Sequence, residues 1–351
     1  MRVFLTGGTG LIGSHVAERL RARGDEVVAL VRTQSDTRFL ADLACVLVEG
    51  DVRDTPEDLA RGMMGAAAVV HAAALVYAGE SWPRVRSVNV EGAAHVLAAA
   101  GIARVPAAVH LSSVAVYGPV SGSIDENTPT DAPLSHGDLY ARSKREAEAA
   151  ALREAADGRV ALTLLRAAAV YGERDRLLTP RIASLVRLPV VPLVGDGRNP
   201  LPIVYAGNVA AAILACLDRP PPRSPRVFDV GLDHPLSQEG LLLGMGRALG
   251  HQPRLLHIPA ALVQGAADLG ERLGITVPGA GDLSLSRFAR LALGDNPYPS
   301  RLIRRELGWQ PPFGHEEGLA RTAAWLTAER GAGRGGRWRG AGNAPPRGGY
   351  S

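Results

Sequence analysis

Val3-Phe4-Leu5-Thr6-Gly7-Gly8-Thr9-Gly10-Leu11-Ile12-Gly13 follows Met1-Arg2 and decides how the rest of the chain is read. A β-type apolar run passes through glycines at 7, 10 and 13 into a helical run. Glycines at such a junction let the backbone approach a pyrophosphate, and the amino terminus of the helix then offers it unpaired N–H groups. Glycine spacing alone is a weak signal. At the first strand–helix junction of an alternating chain it becomes a strong one.

The alternation is present. Val3–Thr6, Val27–Val31, Val46–Glu49, Val69–His71, Ala108–Ser112 and Ala161–Arg166 read as strands. Ile12–Arg23, Pro56–Met63, Trp82–Ala100 and Leu139–Ala156 read as helices between them. Such a pattern predicts an α/β fold, a doubly wound parallel sheet of Rossmann type with helices on both faces. After Val170 the rhythm loosens and Pro and Gly become frequent (Pro180, Pro189, Pro192, Gly195, Gly197). Residues 1–170 are therefore expected to form the dinucleotide-binding domain. Residues 171–330 are expected to form a smaller, mostly helical substrate-binding lobe, with some segments returning to the main sheet. Residues 331–351, rich in Gly and Arg, are expected to be disordered.

The chain has 351 residues, 46% of them hydrophobic and 21% charged, which fits a soluble globular protein. Its net charge of +4 is not spread evenly: the four arginines of 331–351 face no acid, so residues 1–330 carry 35 basic and 35 acidic side chains. The Arg-Gly-Gly pattern of that tail, with Trp338 and Tyr350, is also seen in segments that bind single-stranded nucleic acid. A solvated tail in an arginine-biased chain accounts for it, and no nucleic-acid partner is expected. Cys45 and Cys216 match no disulfide or metal framework, which fits a cytoplasmic location. Met1-Arg2 leads straight into the apolar run Val3–Leu5, so no signal peptide is expected. Ile203–Leu217, the longest apolar stretch, is too short to span a bilayer. Ile258–Leu273 has the pattern of an amphipathic helix, packed on the core or lying on a membrane, and no stable membrane insertion is expected.

Only one of the 39 basic residues is a lysine, Lys144. It follows Tyr140 by four positions, which puts both on one helical face. A nearby ammonium lowers a phenol's pKa, so Tyr140 could exchange a proton with an alcohol or ketone, while the compact ammonium could also reach a ribose hydroxyl. Ser113, at the end of the fifth strand, is the candidate to steady the substrate oxygen, with Ser112 as support. At the end of the second strand stands Arg32, where NAD-selective enzymes usually carry an acid. An arginine there can pair with a 2′-phosphate, which favours NADP, or simply stack on adenine. Asp51 is placed to accept from an adenine amino group or to cap a helix.

Together Gly7/Gly10/Gly13, Asn89-Val90-Glu91-Gly92, Ser113…Tyr117-Gly118, Tyr140-x-x-x-Lys144, Arg166…Tyr171-Gly172 and Arg305-Glu306-Leu307-Gly308-Trp309-x-Pro311 resemble the extended short-chain dehydrogenase/reductases. The resemblance runs from residue 1 to about 327. It implies a nicotinamide cofactor, a Ser113/Tyr140/Lys144 triad, a substrate-holding carboxyl-terminal lobe, and a homodimer built on the Trp82–Ala100 and Leu139–Ala156 helices. The expected cofactor contacts are Gly7, Gly10, Leu11, Ile12, Gly13, Arg32, Asp51, Val52, Ala72, Ala73, Asn89, Tyr140 and Lys144. Substrate contacts are expected from Ser113, Tyr140 and Tyr171, and no metal site is expected.

Val114 and Ala115 stand where the family's dehydratases carry an Asp-Glu pair, and Leu201 stands where its sugar-nucleotide epimerases carry a diphosphate-gripping arginine. Gly195-Asp196-Gly197-Arg198-Asn199 with Tyr205-x-Gly207-Asn208-Val209 is more similar to the 3β-hydroxysteroid dehydrogenase-like branch. The expected activity is interconversion of a secondary alcohol and a ketone on a sterol-like or other apolar small molecule. A nucleotide-sugar 4-epimerase using the same triad is the second reading, since Arg198 could replace the missing arginine. A non-enzymatic dinucleotide sensor is the third. The apolar run of the lobe (Leu177, Leu178, Ile182, Leu185, Val186, Leu188, Val190, Val191) suits either a pocket or a core.

Overall fold

Each expected strand and helix of the first 170 residues forms in the computed structural model of the chain. The structure describes residues 1–76, 80–120, 122–134, 137–221, 225–263, 265 and 298–333. Strands β1 (Arg2–Thr6), β2 (Glu26–Val31), β3 (Val46–Glu49), β4 (Ala68–His71), β5 (Ala107–Ser113), β6 (Ala161–Ala167) and β10 (Arg226–Val230) make one parallel sheet of order β10-β6-β5-β4-β1-β2-β3. The strand order reverses between β1 and β4. In a doubly wound sheet the crevice outside the carboxyl ends at that point is where ligands bind.

Local chemistry starts the helices. Thr55 accepts from Asp58 N at 3.3 Å and Pro56 opens α3 (Pro56–Met63). Asp138 accepts from Ala141 N at 3.1 Å at the start of α6 (Leu139–Glu154). Gly10 precedes α1 (Leu11–Ala22) and supplies no side-chain cap. Two short elements escape the periodicity: α2 (Arg38–Asp42) and a π-turn, Ser87–Glu91, between α4 (Trp82–Arg86) and α5 (Gly92–Ile102).

The sheet is buried on both faces. On one side Val3, Leu5, Val27, Ala29 and Val70 pack with Val16 and Leu20 of α1 and Val209 and Ile213 of α8 (Ala206–Asp218). On the other, Phe4, Val28 and Val69 pack with Leu59 of α3, Val96 and Leu97 of α5 and Ala151 of α6. Segments beyond residue 170 therefore return to the main body. β10 pairs with β6, α8 covers the sheet, and α10 (Arg301–Leu307) brings Ile303 into the same core.

The lobe has its own core of Tyr171, Ile182, Val186, Val191, Leu193, Tyr205, Met245 and Leu319. It joins α7 (Leu178–Leu185), α9 (Gln238–Ala248) and α11 (His315–Gly333) to two parallel ladders, β7 (Ala169–Tyr171) with β9 (Ile203–Tyr205) and β8 (Val190–Val194) with β11 (Arg254–Ile258). Ladders this short, broken by proline, carry no clear period in sequence, so a mostly helical reading overlooks them. Within the apolar run of the lobe, Ile182, Val186 and Val191 are core while Leu188 and Val190 are exposed. Helix α11 reaches three residues past the expected limit at 330, and the remaining tail, 334–351, lies outside the described residues. Of the Ile258–Leu273 stretch only 258–263 and 265 are described. No helix among the described residues is long and apolar enough to cross a membrane.

Candidate active site

The glycine turn closes against the end of β4. Gly7 has φ +73°, and a Cβ on it would lie 2.6 Å from the Ala72 carbonyl carbon and the Ala73 nitrogen. A Cβ on Gly13 would lie 2.1 Å from Gly7 O. Gly10 N donates to Gly7 O at 2.9 Å, fixing the turn. Leu11 and Ile12 are half-buried at the helix mouth, and the first turn of α1 holds no acid to neutralise its positive end. A tight turn, a bare helix terminus and no side chain in the approach suit a pyrophosphate. Thr6 Oγ1 braces the floor, accepting from Ala73 N at 3.3 Å and bonding His71 Nδ1 at 2.7 Å. Burial holds the His71 ring at a pKa of about 3, so it is neutral.

The adenosine end follows β2 and β3. Arg32 is exposed immediately after β2. Asp51 is half-buried and engaged by Arg53. Arg53 donates to its carboxylate through N, Nε and Nη2 at 3.0, 2.9 and 2.9 Å, holding its pKa down, and Thr55 is the residue that caps α3. Val52 places its side chain in the core, filling the space where a Cβ on Gly92 would be.

The three candidate side chains lie on β5 and α6. Ser113 ends β5, and its Oγ accepts from Ala115 N at 3.2 Å, capping the short 3₁₀ turn Val114–Tyr117. That bond uses an acceptor lone pair and leaves the hydroxyl proton to donate. Tyr140 lies in the first turn of α6, half-exposed. One turn on, Lys144 is 4% exposed, and its Nζ donates to Leu111 O at 2.8 Å and lies 6.0 Å from the Tyr140 ring centre. Burial lowers its pKa to about 8, against a weaker opposite pull from Glu148. The hydroxyl of Ser112 is enclosed and has no hydrogen-bond partner among the described residues, so it gives no polar support.

Two residues expected at the site make side-chain ties. Asn89 lies in the π-turn, and both its amide protons are used, on Leu75 O and Ser143 Oγ, each at 2.9 Å. Its Oδ1 accepts from Leu75 N at 2.7 Å. The side chain thus ties the strand-end loop to α6. Tyr171 is 0% exposed in the lobe core, and its hydroxyl is held 2.9 Å from His315 Nδ1.

Sequence reasoning quoted Tyr117 and Arg166 as motif residues but missed what they build. Arg166 donates to both Glu148 oxygens at 2.8 and 2.7 Å and to Tyr117 Oη at 2.8 Å. Tyr117 Oη in turn donates to Asp229 at 2.7 Å. Burial raises the Asp229 carboxyl to about 7. This chain crosses from α6 over β6 to β10 behind the triad. A charged residue at the end of an apolar strand, and an acid one turn beyond Lys144, were the available signals.

The sequence profile of the NAD dependent epimerase/dehydratase family matches residues 3–231. The chain belongs to that family. It is 29% identical over 322 residues to a 4-hydroxy-2-methyl-3-oxo-4-farnesyl-3,4-dihydroquinoline-1-oxide ketoreductase of Stigmatella aurantiaca, covering 91% of this chain and 95% of that one. It is 29% identical over 339 residues to a 2-alkyl-3-oxoalkanoate reductase of Stenotrophomonas maltophilia, covering 92% and 99%. The dTDP-glucose 4,6-dehydratase DesIV of Streptomyces venezuelae, solved with NAD, superposes with a TM-score of 0.70 at 26% identity, covering 95% and 98%. The chain is thus an enzyme, an NAD(P)-dependent oxidoreductase of the extended short-chain type.

Proposed function

We propose that this enzyme reduces the ketone of an amphiphilic small molecule bearing a long apolar chain. The carrying observation is the Lys144 ammonium, enclosed on the Leu111 carbonyl one helical turn from Tyr140, with the Ser113 hydroxyl at the adjoining strand end. The two ketoreductases that match this chain nearly end to end act, by their names, on such ketones. Leu201 supports the same reading: it packs against the lobe core where a diphosphate-binding arginine would otherwise extend.

The cofactor is held by the Gly7–Gly13 turn and the bare end of α1, and when bound it supplies the hydride. Ser113 donates a hydrogen bond to the ketone oxygen and fixes it beside Tyr140. Tyr140 gives that oxygen its proton as negative charge develops there. Lys144, positive below its lowered pKa, stabilises the resulting phenolate and hydrogen-bonds the ribose. We assign NADP as the preferred cofactor on Arg32, which is exposed directly after β2 and has no acid beside it in sequence. Two further parts of the reading are a homodimer through the α4–α5 and α6 faces, where Ile102 is exposed, and a cytoplasmic location, consistent with two free thiols.

The test is oxidation of NADPH by the purified protein with a 2-alkyl-3-oxoalkanoate. Tyr140→Phe is expected to lower the rate by at least about a hundredfold. Unchanged activity in that variant overturns the mechanism. Arg32→Asp is expected to exchange NADPH for NADH preference, and an unaltered preference removes Arg32 from the 2′-phosphate site. The second reading, a nucleotide-sugar epimerase, draws on the exposed Arg198 near Leu201. It requires interconversion of two sugar nucleotides with no net consumption of added NADPH. Light scattering that finds a monomer removes the dimer.

A further inference from the structure

Residues 172–175, which follow β7, carry the lobe back to α1. Arg174 stands there at φ +68°, a left-handed conformation that an arginine adopts only where surrounding contacts hold it. Those contacts run to two parts of the molecule. On the lobe side, the Glu173 carboxylate accepts from Tyr205 Oη at 2.8 Å. Asp175 accepts from Leu177 N and Thr179 N, at 2.8 and 2.7 Å, at the start of α7. On the other side, the Glu173 carbonyl lies 3.3 Å from His15 Nε2 of α1.

Arg174 itself bridges α1 and α2. Its Nε donates to Ser14 Oγ at 2.8 Å, its Nη2 donates to Glu18 at 2.9 Å, and its guanidinium lies 4.0 Å from the centre of the Phe39 ring. Ser14 is where the hydrogen-bond ladder of α1 begins. Its N donates to Gly10 O at 3.0 Å, so the N–H groups of residues 11–13 lie ahead of the ladder, where an anion takes them. Its hydroxyl proton goes to Leu11 O at 2.9 Å, which leaves the Oγ lone pairs to accept from Arg174. Arg174 is thus two hydrogen bonds from the first residue of α1. Next to Phe39, the Leu40 side chain lies 3.4 Å from where a Cβ on Gly8 would be, so α2 borders the same glycine turn. We infer that Arg174 is a positioning residue for the dinucleotide, holding the start of α1 through Ser14 and α2 through Phe39. It acts through the turn and not on the 2′-phosphate, so NADPH and NADH depend on it equally. The inference rests on the placement of the pyrophosphate at the Gly7–Gly13 turn.

The experiment is calorimetric titration of the full-length protein with NADPH and, separately, with NADH. Glycine takes the left-handed conformation freely, so Arg174→Gly should keep the thermal midpoint of the nucleotide-free protein within about 3 °C of wild type. Its affinity for both nucleotides should fall by the same factor, about fivefold or more. Ser14→Ala should weaken both similarly, and the double variant should lose little beyond either single one. A fall confined to NADPH overturns the proposal and makes Arg174 a ligand of the 2′-phosphate. Unchanged affinities or additive losses in the double variant also overturn it. So does a nucleotide-free midpoint lower by several degrees, which would make Arg174 a structural residue. Gly13→Ala separates this outcome from the placement beneath it. If Gly13→Ala weakens binding and Arg174→Gly does not, only Arg174 loses its role. If neither does, the nucleotide binds elsewhere and both readings fail.

Discussion

Lys144 is the one lysine in a chain that otherwise uses arginine, and its surroundings explain why arginine would not serve. A guanidinium stays charged at any working pH, whereas a buried ammonium can be tuned. Folding lowers the Lys144 pKa from 10.5 to about 8 by burial. The cost of keeping it charged, on the order of 3 kcal/mol, is therefore fully present below pH 8 and fades as pH rises toward the unfolded value. Lys144→Met is accordingly expected to hold or raise the thermal midpoint at pH 7 while reducing ketone turnover by at least about a hundredfold. A midpoint lower by several degrees would make the lysine a structural residue instead. The pH profile of kcat/KM for the wild-type enzyme should lose activity above pH 8, and a profile flat through pH 9 would disconnect the ammonium from catalysis.

Among the elements, α1 and α6 depend on contacts that one substitution can remove. Gly13→Ala places a methyl 2.1 Å from Gly7 O, so α1 must move away from the turn. Overpacking of this kind costs about 1–3 kcal/mol, and the distortion falls at the proposed pyrophosphate site. NADPH affinity measured by calorimetry should drop by at least about tenfold, and an unchanged affinity would move the nucleotide elsewhere. Helix α6 is tied to β6 by the buried Glu148–Arg166 pair. Arg166→Met strands the carboxylate, which typically costs about 3–5 kcal/mol in denaturant unfolding. Adding Glu148→Gln should recover part of that loss, and no recovery would mean that packing, not charge, accounts for it. The glycine turn and the Tyr140–Lys144 spacing were legible because neighbours in sequence make them. The Glu148–Arg166 tie was not, because its partners come from two elements 18 residues apart.

The whole molecule carries histidines that are buried neutral. His15 and His71 are each held at about 3 by burial, and His110 lies well below its ordinary value for the same reason. Their contribution to stability is intact above pH 6.5 and is lost as pH falls toward 3, because the unfolded chain then binds protons that the folded one refuses. Asp229, raised to about 7, works the other way but is one group against three. Unfolding free energy should therefore decline from pH 6.5 to pH 4, and a constant value over that range would show these rings to be accessible to protons. Two cores also meet in this molecule, one around the sheet and one in the lobe, and the chain passes between them more than once through α8, β10 and α10. A division at residue 170 seen in the change of rhythm describes the order of the sequence better than the grouping in space.

The sequence by itself determined the doubly wound sheet, the glycine turn and the placement of Tyr140 and Lys144 on one helical face, because periodicity, turn chemistry and a four-residue helical offset are local properties of the chain. Only the tertiary structure decided which partners the remaining polar side chains take. Tyr171 and Asn89 became braces, Asp51 was taken up by Arg53, and Ser112 was enclosed. The physical reason is the same in each case. Whether a polar side chain serves the site depends on which donors and acceptors reach it first, and those partners are chosen by packing between segments distant in sequence.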